Sequence, residues 1–235
     1  MSDFNYTGSE LDLFAEAANW KSYWSAQCQE YVTGDVLEVG AGLGANTPLF
    51  CNQAHRSWTC LEPDPRLAGL IQTSVEKKSL PADIKIIVGA LKTLGTKESF
   101  DSILYIDVLE HIENDEEELD LAAQFLRPNG KLVVLAPAHR WLSSDFDVSL
   151  GHFRRYDRKS LSGLGKNCLK IRLVRYLDSV GLFASLANRL FLRQSAPTSS
   201  QIKFWDNYMI SCSRLIDPLT RYRFGKSILM VWERS

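Results

Sequence analysis

Cysteine is scarce and poorly arranged for cross-linking. The five in 235 residues, Cys28, Cys51, Cys60, Cys168 and Cys212, are odd in number and never in CxxC spacing. That argues against a disulfide framework or a cysteine-based zinc site, and for a reducing compartment. Also missing is any run approaching the roughly 18 consecutive apolar residues of a membrane span. The opening stretch MSDFNYTGSELDLF carries acids where a signal peptide needs a basic region followed by an apolar one. These absences predict a cytoplasmic protein without a transmembrane segment. Internal repeats and low-complexity tracts are absent too, which excludes a solenoid.

What is present suits one globular domain able to bury a sheet-based core: 45% of residues are hydrophobic and 23% charged. The net charge of -1 hides an asymmetry. Residues 1–150 carry 11 Lys and Arg against 23 Asp and Glu, whereas residues 151–235 carry 16 against 5. Either the C-terminal third meets an anionic substrate, a membrane surface or nucleic acid, or the two parts attract one another within the fold.

Residues 9–32 have helical spacing, with Leu13, Phe14, Ala17, Trp20 and Trp24 on one stripe. After Gly34 short β-rich runs alternate with amphipathic segments. Strands are predicted at 35–40, 57–62, 84–88, 101–106, 131–136, 170–176 and 227–233, and helices near 45–54, 65–78, 114–126 and 158–165. RPNGK (127–131) reads as a helix stop and turn. The alternation predicts right-handed βαβ units, hence an α/β Rossmann-like sheet with ligands at the carboxyl ends of its strands. RQSAPTSSQ (193–201) reads as a hinge between helices at about 180–192 and 202–216. The expected organisation is one domain: a helical cover over 1–33, a cofactor-binding core over 34–176, a helical insertion or lid over 177–226, and a last strand over 227–235.

The stretch DVLEVGAGLGANT (35–47) joins a buried strand to a glycine-rich turn. Gly40, Gly42 and Ala45 satisfy G-x-G-x-x-G/A, a pattern shared by nicotinamide-dinucleotide sites and sulfonium-nucleoside sites. Three features bear on the choice. Glu38 sits two residues before Gly40, where an acid repels a pyrophosphate and suits an ammonium or sulfonium group. Glu62 closes the second strand in LEPDP, placed to accept hydrogen bonds from ribose hydroxyls of either cofactor. The fourth strand leads into YIDVLEHI.

With those residues in view, the sequence resembles the class I S-adenosylmethionine-dependent methyltransferases, especially the small-molecule group that includes the ubiquinone-biosynthesis O-methyltransferases. LEVGAGLGANT, LEPDP, YIDVLEHI and LRPNGKLVVLAPA are similar to successive motifs of that family, from about Asp35 to Leu161 and in its order. The resemblance implies a seven-stranded, mainly parallel sheet with an antiparallel last strand and helices on both faces. It implies S-adenosyl-L-methionine as cofactor, with Gly40, Gly42 and Gly44 along its methionine part, Glu38 near its amino group and Glu62 on its ribose. Pro63, Ile106 and Asp107 complete that set. Many members carry an acid near the adenine where this chain has Ala90 and Leu91, which leaves backbone and apolar contacts there.

Methyl transfer needs an aligned acceptor, exclusion of water and, for a hydroxyl or protonated amine, a base. The candidates are Asp107 after the fourth strand, His111 one turn on, and His152 in FDVSLGHFRRYDRKSL (146–161). His152 is placed first, as base or acceptor-orienting group, because a glycine-preceded loop carries it. His139, Trp141, Arg154, Arg155 and Tyr156 are the substrate-binding candidates, the arginines gripping a carboxylate or phosphate. The bland alternative is that His152 and the arginines pin the loop through structural ion pairs.

Asp107, Glu110 and His111 also have spacing that collects a divalent metal, but such clusters more commonly cap a helix start. No metal is expected on this reading, and ENDEEELD (113–120) reads as an acidic helix N-terminus. GLFASLANRLFLR (181–193), with Phe204, Trp205 and Tyr208, reads as a lid over an apolar acceptor pocket, the alternative being weak contact with a membrane surface. The expected partner is a small-molecule acceptor, with no nucleic acid, in a monomer or homodimer. Methylation of RNA or protein, a nicotinamide-dependent reductase and a non-catalytic cofactor-binding scaffold are the competing readings.

Overall fold

The computed structural model describes residues 14–50, 55–165, 168–189 and 197–235. Seven strands form one sheet: β1 (Gly34–Val39), β2 (His55–Glu62), β3 (Lys85–Val88), β4 (Phe100–Ile106), β5 (Leu126–Pro137), β6 (Leu169–Leu177) and β7 (Ser227–Arg234). Their order is β3-β2-β1-β4-β5-β7-β6. β1 to β5 run parallel, and β7 lies antiparallel between β5 and β6. The seven runs of strand-forming residues read from the sequence all appear here. The central ones are continuous and apolar, as in Leu132–Ala136 and Ile228–Trp232, because both faces of the sheet are covered. One core cluster gathers Leu37, Tyr105, Leu119 and Met230, and the other Val36, Trp58, Leu104 and Val133. Alternate residues of the same strands therefore feed opposite faces.

The helices begin where the sequence supplies caps. α1 is Ala18–Ala26, within the predicted N-terminal cover; residues 1–13 lie outside the described part. α2 (Pro65–Glu76) starts at Asp64, whose carboxylate accepts from the Arg66 N–H, with Pro65 in the first turn. α3 (Asp115–Phe125) opens on four acids, Asp115 to Glu118, which suit the positive end of its dipole. Two short helices follow β5: α4 (Asp145–Ser149) and α5 (Arg158–Ser162), each with a capping box.

Two local expectations fail. Of the helix expected near 45–54, residues 45–50 are described and hold a single 3-10 turn, Thr47–Leu49, while 51–54 lie outside the described residues. The Thr47 hydroxyl is drawn beneath the glycine loop to donate to Glu38 at 2.6 Å, so no α-helix starts there among the described residues. RPNGK does end α3, but it is an excursion within β5 rather than a turn before it. Leu126 already pairs with Phe100, and pairing resumes at Lys131 with Ser102.

Among the described residues the insertion contains α6 (Ser179–Ala187), α7 (Ser199–Phe204), a π turn (Trp205–Met209) and α8 (Ile210–Leu219), and the predicted hinge lies partly outside them, over 193–196. Three buried aspartates fasten it. Asp206 accepts from the Asn19 and Trp20 N–H groups of α1. Asp217 accepts from the Tyr23 hydroxyl and from the Asp178 and Ser179 N–H groups. Asp178, at φ 67°, accepts from Trp205 Nε1 and Ser213 Oγ. Each carboxylate thus satisfies several donors far apart in the chain, and the insertion closes over the carboxyl ends of the strands. No helix among the described residues is long and apolar enough to cross a membrane.

Candidate active site

A cavity of about 1060 Å³ lies between the carboxyl ends of β1, β4 and β5 and the roof formed by α1 and the insertion. Its floor is the turn after β1. Gly40, Gly42 and Gly44 there have φ of 64°, 58° and 70°, the left-handed region that side chains resist. A Cβ on Gly40 would fall 2.7 Å from Val108 Cγ2, so the turn must be bare to pass β4. Gly40 and Gly42 line the cavity together with Ala41, Leu43 and Ala45.

The two strand-end glutamates support this turn from below. Glu62 is buried and accepts from the Gly42 N–H at 2.7 Å and the Asp64 N–H at 2.9 Å. Burial raises its pKa, against those two bonds. Each carboxylate oxygen keeps a further lone pair. Glu38 accepts from Thr47 Oγ1 and, at 3.1 Å, from Trp58 Nε1. It does not line the cavity, and burial pushes its pKa up to about 7. The repulsion of a pyrophosphate expected from Glu38 therefore loses its basis. The carboxyl lies outside the cavity lining, held by Thr47 and Trp58, and burial raises its pKa. Of the acids that line the cavity, Asp107, Glu110, Asp145 and Asp147, the first two follow β4.

Those two, with His111 and His152, make one wall. Asp107 follows β4 at φ 53° and is open to the cavity while deep in the protein, so desolvation raises its pKa. Glu110 and His111 belong to a 3-10 turn, Leu109–His111. Glu110 is 1% exposed, desolvation holds its pKa well above the usual carboxylate range, and its Oε2 has no hydrogen-bond partner among the described residues. Burial and the neighbouring His152 push the His111 pKa down to about 4. The His111 and His152 rings meet edge to face with centroids 4.5 Å apart. His152 Nδ1 is 3.1 Å from Asp147 Oδ1. Asp147 is also gripped by Arg155 Nε at 2.8 Å and Nη2 at 3.1 Å, and its pKa is driven far down by His152 and Arg155 despite its burial. The acidic and basic parts of the chain meet here, through Arg155–Asp147 and Arg154–Asp115.

The remaining predicted residues are spread more widely. Ile106 lines the cavity, as does Arg155. Pro63 and Ala90 are half-buried outside it, and Leu91 is fully buried in the core, where no ligand reaches it. His139 stacks on Tyr176 at 5.0 Å and pairs with the Gly225 carbonyl, which makes it a brace between β5 and β6. Trp141 is 48% exposed, and its carbonyl receives Arg189. Arg154 turns outward to Asp115 and the Glu113 carbonyl. Tyr156 is buried, donating to Asp115 at 2.8 Å. So Arg155 alone of the five substrate candidates reaches the cavity, because alternate residues of RRY point to opposite sides.

Sequence reasoning missed Asp147 and Lys226. Asp147 stands five residues before His152, close enough to have been paired with it. Lys226 gave no signal, because it faces the cavity only once β7 inserts between β5 and β6. Its ammonium lies 5.0 Å from the Trp205 ring centroid, and desolvation lowers its pKa, opposed by Asp178 and Asp107.

Residues 37–134 match the family model described as a methyltransferase domain. The seven-stranded sheet around it shares its fold with solved methyltransferases, one of them in complex with S-adenosylmethionine. Among curated relatives, (S)-coclaurine N-methyltransferase of Papaver somniferum is 25% identical over 138 residues, covering 58% of this chain and 36% of the relative. Norajmaline N-methyltransferase of Rauvolfia serpentina is 23% identical over 136 residues, covering 57% and 47%. The chain thus spans less than half the length of these relatives. Geranyl diphosphate methyltransferase in complex with S-adenosylmethionine superposes over 100% of this chain and 93% of its own, with a TM-score of 0.67 at 12% identity. The [4+2]-cyclase SpnF does so over 98% and 84%, with a TM-score of 0.62 at 14% identity. At such identities the likeness concerns the fold, and the site must supply the chemistry.

Proposed function

We propose that this protein transfers the methyl group of S-adenosylmethionine to an oxygen or nitrogen of a small molecule. The single observation carrying this reading is that a side-chain-free glycine turn and a wall of Asp107, Glu110, His111 and His152 face one roofed cavity. The residues fit the cofactor. The bare turn at Gly40 and Gly42 lines the cavity and admits the methionine part, while Gly44 and Glu62 stand behind that lining, Glu62 holding the Gly42 N–H. A positive group beside Asp107 and Glu110 would offset the desolvation that raises the pKa of both carboxyls. When bound, the cofactor supplies a methyl carbon activated by sulfonium: the acceptor's lone pair forms the new bond, and the electron pair of the broken S–C bond goes to sulfur. Asp107, open to the cavity at the end of β4, receives the acceptor's proton. His152, held by Asp147, orients the acceptor, and the roof excludes water.

The acceptor's size and polarity are read from the walls. Trp20, Trp24 and Trp205 offer aromatic surface, while Lys226 and Arg155 place positive charge beside it. That combination suits a small aromatic or aliphatic acceptor with an anionic group. An RNA or protein substrate is less well served, since the roof encloses the cavity. Calorimetry with S-adenosylmethionine, its demethylated product and NADH tests the cofactor, and a radiolabelled-methyl screen over phenols, amines and their carboxylates tests the acceptor. Binding of NADH alone would overturn the reading.

A further inference from the structure

Glu110, His111 and His152 form a group whose ligand atoms, a carboxylate oxygen and one nitrogen from each imidazole, all lie within 4.8 Å of one another. Two different loops deliver them, and the Phe153 N–H ties those loops together by donating to the Glu110 carbonyl at 2.8 Å. A merely structural cluster would satisfy its own polar atoms. Here Glu110, 1% exposed, keeps Oε2 without a hydrogen-bond partner among the described residues, in the wall of the cavity. A buried carboxylate oxygen left without donors is costly and calls for a positive ligand.

His152 is prepared in the manner of a metal-bound histidine. Its Nδ1 is engaged by Asp147, which leaves Nε2 as the coordinating atom. Asp147 is itself fixed by Arg155 and by the Ser144 N–H and hydroxyl, at 2.9 and 2.8 Å. Carboxylate–histidine–metal relays of this kind set the ring's tautomer and direction. The sequence spacing pointed to Asp107 as the third member of such a group. The fold puts His152 in that place and leaves Asp107 apart.

We propose that Glu110, His111 and His152 bind one divalent transition-metal ion, with Asp147 as the residue that positions His152. Two imidazoles and one carboxylate are the donor set of zinc, iron(II), cobalt(II) and manganese(II) rather than of calcium or magnesium. Three protein ligands leave coordination positions open, and those positions face the cavity. There the ion seats an acceptor's oxygen or nitrogen opposite the glycine turn and makes a coordinated hydroxyl easier to deprotonate, a role that rests on the methyl-transfer reading.

The test needs no knowledge of the acceptor. Chelator-treated protein is titrated anaerobically with Co²⁺ alone, followed by visible d–d absorption and calorimetry, while S-adenosylhomocysteine binding is measured on the same samples. The expected result is one Co²⁺ per chain, with affinity falling about tenfold or more in His111→Ala, His152→Ala and Glu110→Gln, and in Asp147→Asn through loss of positioning. Glu110→Gln is nearly isosteric, so it remains informative if a histidine variant does not fold. No one-to-one Co²⁺ binding, or unchanged affinity in these variants, overturns the proposal. Absence of Co²⁺ binding by the unsubstituted protein with intact nucleoside binding sinks the metal site alone, whereas its failure to bind the nucleoside sinks the methyl-transfer reading instead.

Discussion

His152 and Asp147, five residues apart, are joined across a tight loop by a 3.1 Å contact between Nδ1 and Oδ1, with Arg155 closing on the same carboxylate. Asp147 is 2% exposed, and its carboxylate hydrogen-bonds only to this group and Ser144 among the described residues. The pair therefore directs the other edge of the imidazole at the cavity.

Replacing Asp147 by Asn keeps the shape of that group while removing its charge. Turnover in Asp147→Asn is expected to fall on the order of 10- to 100-fold, the usual cost of losing a residue that orients a functional histidine. Nucleoside binding by calorimetry should stay within a factor of about two, within ordinary mutational context effects. Equal losses in both would make Asp147 a folding residue only.

Gly40 cannot carry a side chain without strain. Its φ of 64° and the 2.7 Å approach of a Cβ to Val108 act together. Gly40→Ala should lose about 1–2 kcal/mol of stability from the backbone alone, read as a lower urea midpoint. Weakened S-adenosylhomocysteine binding should accompany it. Unchanged binding would place the nucleoside elsewhere.

Glu38 links stability to pH. Its folded pKa of about 7 lies above the ordinary glutamate value of 4.5, because burial penalises the charged form. Between those two values the unfolded chain releases a proton that the folded chain keeps, so this group's contribution to stability falls as pH rises through the window. The slope is about 1.4 kcal/mol per pH unit at most. Glu38→Gln should flatten the dependence of unfolding free energy between pH 5 and 8 relative to wild type. Parallel curves for the two proteins would mean that Glu38 is ionised in the fold.

Tyr156 is expected to hold the fold and leave chemistry alone. Its hydroxyl donates to Asp115 Oδ2 at 2.8 Å from a position 1% exposed. Tyr156→Phe should cost about 1–3 kcal/mol in thermal or urea unfolding, since a buried acceptor loses its donor. Affinity for the nucleoside should not change. A selective loss of turnover at full stability would return Tyr156 to the substrate site.

How much of this was readable beforehand differs by residue. The strands and the glycine turn were legible because their signals are local: continuous apolar runs of strand length, and glycines where φ must be positive. The facing wall was partly legible, as Asp107 and His111 follow directly on a strand and His152 stands in a glycine-preceded loop. Tyr156 and Arg154 were misplaced because adjacent residues in an extended segment look alike in sequence and face opposite ways in space.

Local chemistry thus determined the alternation of strands and helices, the bare turn and the acid and imidazole groups near it. Tertiary structure alone decided which of those groups share a cavity. β7 inserts between β5 and β6, carrying Lys226 inward, and two loops more than 35 residues apart bring Glu110 and His152 within reach. Glu38 shows the physical reason: the charge a carboxylate presents depends on its burial and its donors, and both are set by packing between distant segments.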